Sequence, residues 1–86
     1  MSYKIFYDKQ PEKFLGKIDK HVAARIKNKI ETALTENHFP HNAATISGKH
    51  GVFRIRIGDY RALYRINYET NSIIIVVIDK RSRVYE

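Results

Sequence analysis

Apolar positions recur along this chain with two periods, near four residues in the first half and two residues in the second. Tyr3 to Tyr7 alternates, with Tyr3, Ile5 and Tyr7 on one side and Lys4 and Phe6 on the other, and predicts a short strand. Asp8 or Gln10 caps a first, short helix. Its early Pro11 suits a first turn, where a missing N–H costs little, and Phe14 and Leu15 give it an apolar side. Asp19 then caps a second helix, in which Ile18, Val22, Ile26, Ile30 and Leu34 recur every four residues. Lys20, Arg25, Lys27, Lys29 and Glu31 fill its other faces. This helix should end near Asn37, ahead of Phe39-Pro40, and a polar loop from His41 to Gly51 follows.

From Val52 the period is two. Phe53, Ile55 and Ile57 alternate with Arg54 and Arg56, Gly58-Asp59 supplies a turn, and Tyr60 to Tyr68 returns as a second strand. Glu69-Thr70-Asn71 makes another turn. Ser72 to Ile78 is apolar on both faces and reads as a central strand, and Asp79 to Glu86 reads as a basic tail. The expected fold is α+β in the order β-α-α-β-β-β: two N-terminal helices packed on one face of a four-stranded, mostly antiparallel sheet, forming a single domain over 1–86.

With 86 residues there is room for one core. A domain of this size buries only about 60% of the surface its unfolded chain exposes, so a partner that covers it adds appreciably to its stability. The absence of cysteine removes disulfides and thiolate metal sites and fits a reducing compartment. The run Ile73–Ile78 is too short to span a bilayer, and Met1-Ser2-Tyr3-Lys4 lacks the apolar core of a signal peptide, so a cytoplasmic protein without membrane association is expected. The formal charge of +7, with a pI near 9.8, attracts polyanions. Seven of the nine lysines precede residue 30, whereas six of the seven arginines lie between Arg54 and Arg83. Lysine suits a solvated helix surface; the planar fork of arginine matches phosphate oxygens two at a time, so the second half is where chemistry is sought.

Two segments carry a resemblance. Gly48 to Ile66, containing Arg54-Ile55-Arg56-Ile57-Gly58-Asp59-Tyr60-Arg61, and Ile78 to Tyr85 resemble the signature of the RelE/ParE toxin superfamily, and the paired-helix segment from Phe14 to Leu34 is similar to that family's helices. The resemblance covers nearly the whole chain and implies a RelE-like fold. For the favoured RelE branch it implies a type II toxin that cleaves mRNA on the ribosome without metal or small-molecule cofactor, the ribose 2′-OH attacking the adjacent phosphate. Its partners would be a cognate antitoxin, the ribosome and mRNA. The alternative branch, ParE-like, binds and inhibits DNA gyrase. Family positions carry over as catalytic at Arg54, Arg56, Arg61, Arg81 and Tyr85; Lys49, His50, Lys80 and Arg83 beside them are read as RNA contacts. Relatives that cleave RNA carry lysine where this chain has Arg54 and Arg56, and many continue past the tyrosine with another helix.

In-line attack by a 2′-OH needs a proton acceptor, cations around the phosphorane and a proton donor for the leaving oxygen. Arginine, with a pKa above ~12, serves only the second task. Proton transfer then falls to Tyr85, Lys80 or His50, a choice the sequence leaves open. Arg54 and Arg56, two residues apart on a strand, share a face opposite Phe53, Ile55 and Ile57. The plain alternative is a solvated outer sheet face. Arg65 reads as a partner of Glu69 or of an antitoxin, Gly58 and Asp59 as turn formers, Tyr60 and Tyr64 as packing residues. His38 and His41 lack the further ligands of a metal site.

Overall fold

The computed structural model describes residues 2–40, 43–46 and 49–80, with only the backbone place of Lys49. The elements run β1 (Lys4–Tyr7), α1 (Lys9–Lys17), α2 (Lys20–Leu34), β2 (Ala43–Ile46), β3 (Lys49–Ile57), β4 (Tyr60–Asn67) and β5 (Ser72–Lys80). Asp8 caps α1, accepting from the Lys9 N–H, and Pro11 sits buried in its first turn. Asp19 caps α2 by accepting from the His21 and Val22 N–H groups. Helix α2 ends at Leu34, three residues short of the expected Asn37. Its Thr35 C-cap closes on Glu31, and the Asn37 side chain turns back to accept from the Phe39 N–H.

The sheet has five strands in the order β1-β5-β4-β3-β2, with β1 parallel to β5 and the other pairs antiparallel. The expected four-stranded sheet is therefore short by one. Ala43–Ile46, within the expected loop, pairs with β3, which begins at Lys49 and not at Val52, with a register shift after Thr45 and a φ of 73° at Gly51. Ser72–Lys80 is flanked on both sides as expected, although the middle strand of the sheet is β4. Asp79 and Lys80, assigned to the tail, continue β5 by pairing with Arg61 and Tyr60. Gly58, with φ of 58°, opens the two-residue hairpin turn, where a Cβ would be strained.

Both helices lie on one face. Ile26, Ile30 and Leu34 of α2 pack with Ile55, Ile57, Ala62, Tyr64, Ile73, Ile75 and Ile78 of the sheet, and Phe14, Leu15 and Ile18 close the edge. Where β1 has ended, α1 takes over the flank of β5. The Asp8 N–H donates to the Ile75 carbonyl, and the Gln10 side-chain amide both accepts from the Ile78 N–H (2.8 Å) and donates to the Ile78 carbonyl (3.0 Å). The opposite face of the sheet carries no described helix, and it is there that the arginines emerge.

Candidate functional site

Residues directly opposite in an antiparallel ladder point to the same side, so the register sorts the cations. Arg56 faces Arg61, and Arg54 faces Leu63. All four project away from the face holding Phe53, Ile55, Ile57 and Tyr64, onto the helix-free side. Setting two guanidinium groups directly opposite each other is unfavourable within a sheet, and such an arrangement suits an anion. Arg61 is half-buried, and its Nε–H is buried without a hydrogen-bond partner among the described residues. Arg54 is also half-buried and Arg56 exposed. The expected grouping of these three residues on one face is what the fold gives.

The other expected positions scatter. His50 is exposed and lines a shallow trough of about 680 Å³ on the same face, with Val52, Leu63, Arg65 and Ile74, six residues along β3 from Arg56. Lys80 pairs with Tyr60, whose ring packs against Phe14 of α1, so the register gives Lys80 to the helix side of the sheet. Lys49 opens β3. Arg81, Arg83 and Tyr85 lie outside the described residues.

Asp79, which the sequence reading did not single out, stands opposite Arg61 and completes a row Arg56, Arg61, Asp79 across three strands. Its Oδ1 accepts from the Lys80 N–H at 2.8 Å. The reason it escaped notice is a bulge: the β4–β5 pairing slips by one residue between Leu63 and Tyr64, leaving Val76 without a partner. A one-residue slip turns every following side chain to the other face. Without it Ile78 would oppose Arg61 and Lys80 would share the arginine face. Nothing in the alternation of Ser72–Lys80 marks the slip, because the strand is apolar on both sides.

The tyrosines behave as packing residues. Tyr64 is fully buried and its hydroxyl donates to the His38 carbonyl at 2.9 Å; burial first, and the nearby Tyr68 second, push its phenol well above the ordinary range. The Tyr7 phenol is raised likewise, by burial and then by donating to the Glu31 carboxylate at 2.9 Å. His38 exchanges a 3.0 Å hydrogen bond with the Tyr3 hydroxyl through Nδ1, which ties it to β1; His41 lies outside the described residues. Among the described residues no group of three His, Cys, Asp or Glu is arranged to hold a metal, and no helix is long and apolar enough to cross a membrane.

Comparison with known proteins gives a consistent picture. The chain is similar in fold to the RelBE2 toxin–antitoxin complex of Mycobacterium tuberculosis, at a TM-score of 0.82 and 23% identity over 95% of this chain and 94% of that one. It is similar to the RelE–RelB complex of Pyrococcus horikoshii, at 0.71 and 25% over 96% and 99%. The isolated RelE toxin of E. coli matches at 0.75 and 23% over 98% and 92%. No curated protein sequence matches. The profile of the ParE toxin of type II toxin–antitoxin systems matches residues 5–85. A profile that spans nearly all the elements, on a fold shared with RelE proteins, decides the family: the chain is a toxin of the RelE/ParE superfamily and belongs to the ParE toxin family of type II toxin–antitoxin systems.

Proposed function

We propose that this toxin is a ribosome-dependent endoribonuclease that cleaves mRNA by attack of a ribose 2′-OH on the adjacent phosphate, without a metal. The observation that carries the reading is the cluster Arg54, Arg56 and Arg61 on the bare sheet face, with a buried Arg61 Nε–H that has no acceptor in the described protein. Three guanidinium groups so disposed neutralise the oxygens of a pentacoordinate phosphorane as charge develops on them. Arg81 and Tyr85, on the strength of the resemblance, complete the set from the tail, with Lys49, His50, Lys80 and Arg83 as further RNA contacts. A cognate antitoxin is the proposed partner, as in the RelB complexes of the similar toxins. The helix-free face, where Phe6 is 51% exposed beside Ile74 and the trough, still has apolar surface for such a partner to cover. The cytoplasm, where ribosomes and antitoxin are found, is the proposed compartment.

The test is to induce the toxin and map the 3′ ends of translated mRNA. New ends within open reading frames, abolished by Arg61→Ala and insensitive to chelator in a purified translation system, are the expected result; growth arrest with intact message would defeat the proposal. The ParE profile match favours a second reading, a non-enzymatic inhibitor of DNA gyrase. Gyrase that supercoils normally at excess toxin removes it.

A further inference from the structure

Of the proton acceptors offered by the sequence, Tyr85 lies outside the described residues, and among the others the structure narrows the choice. Arginine stays protonated and cannot serve. His50 sits six residues away from Arg56 along β3, and Lys80 belongs by register to the side of the sheet that α1 covers. Asp79 alone among the described acidic or basic side chains outside the arginines stands in the row with Arg56 and Arg61. It is half-buried, and its Oδ1 is engaged by the Lys80 N–H. It makes no hydrogen bond to the Arg61 Nε–H, which is without a partner among the described residues. A carboxylate also repels phosphate, so a surface built only to hold an anion has no use for one there.

We propose that Asp79 accepts the proton of the attacking 2′-OH, and so deepens the nuclease reading on which it rests. As the 2′-oxygen forms its bond to phosphorus, its proton passes to Oδ2 of Asp79. The bond from phosphorus to the 5′-oxygen breaks, that oxygen takes a proton from water, and the Asp79 carboxyl returns its own to solvent. The bulge in β5 is what makes this possible, because it turns position 79 onto the arginine face.

The experiment is single-turnover cleavage of mRNA on purified, programmed ribosomes, with toxin concentration varied and rates referred to folded protein by circular dichroism. Asp79→Asn and Asp79→Ser should each lower the rate constant at saturation by about 10²- to 10⁴-fold, the range for loss of a general base. The half-saturating concentration should stay level or fall, because a repulsive charge has gone, and Asp79→Glu should recover part of the rate. A counter-charge with a merely structural role predicts the reverse: normal cleavage per folded molecule and a lower melting temperature. If wild-type toxin cleaves and Asp79→Asn cleaves equally well, this assignment falls and the nuclease reading stands. Wild-type toxin that leaves mRNA intact in every arm overturns both.

Discussion

At Arg61 an Nε–H is held out of water with no acceptor among the described residues, opposite a second arginine. An unsatisfied buried donor costs about 1–3 kcal/mol, and a like-charged cross-strand pair adds a few tenths or about 1 more. Arg61→Met keeps the apolar stem and removes both penalties, while giving up the smaller cross-strand attraction to Asp79. The expected outcome is a rise in urea midpoint equivalent to about 1 kcal/mol, accompanied by a fall in cleavage of about 10²- to 10³-fold, as for other lost transition-state donors. A variant equally active and no more stable would detach this residue from the site. The buried phenols give a separate residue-scale expectation. Tyr7 and Tyr64 ionise above their ordinary range, so when the pH passes about 10 the unfolded chain loses these protons before the folded one does. Their contribution is complete below that pH and is lost as pH climbs toward the folded values. Denaturation midpoints should therefore drop above pH ~10, and drop less in Tyr7→Phe/Tyr64→Phe, whose phenols no longer titrate.

Among the elements, β5 is held on one flank by an unconventional contact. Its neighbour β1 pairs only with Ser72–Ile75, and farther along the Gln10 amide supplies a donor and an acceptor to Ile78, a backbone contact made by a side chain in place of a strand. Gln10→Ala leaves both Ile78 groups to water or to nothing. A loss of about 1–3 kcal/mol in chemical denaturation is expected, with faster amide exchange confined to the end of β5. Leu34→Ala, at a fully buried position of α2, should cost about 2–5 kcal/mol by leaving a cavity. The helices, the β3–β4 hairpin and the common face of Arg54, Arg56 and Arg61 were legible because each rests on a local period or on turn chemistry at Gly58-Asp59. Strand β2 was not, since Ala43-Ala44-Thr45-Ile46 has too short a pattern to stand apart from the loops around it, and its pairing with β3 is tertiary. The face of Asp79 and Lys80 was hidden for a different reason. It depends on a bulge at Val76, within a strand that is apolar on both sides and so gives no parity to read.

Over the whole molecule the segregation of basic residues along the chain becomes a segregation in space. Lys9, Lys13, Lys17, Lys20, Lys27 and Lys29 are exposed on the two helices, whereas Arg54, Arg56 and Arg61 occupy the bare face of the sheet behind them. The net charge of +7 gives the molecule a long-range attraction for RNA that salt screens. Under the proposed function the two groups have separable effects. Helix lysines that touch ribosomal RNA release counterions and set how steeply affinity depends on salt, at about 0.7–0.9 in log–log slope for each phosphate neutralised. The sheet arginines act on one phosphate while it reacts. Lys9, Lys13 and Lys17 follow one another at four-residue spacing on α1, so they present one line of charge. Replacing these three by glutamine should flatten the salt dependence of binding to programmed ribosomes by about 2–3 in slope while leaving the saturated cleavage rate within about twofold. Arg54→Ala or Arg56→Ala should do the opposite, lowering the saturated rate with little change in slope. A triple lysine variant that binds with an unchanged slope would assign α1 to a solvated surface facing away from the ribosome and leave encounter to the arginine face alone.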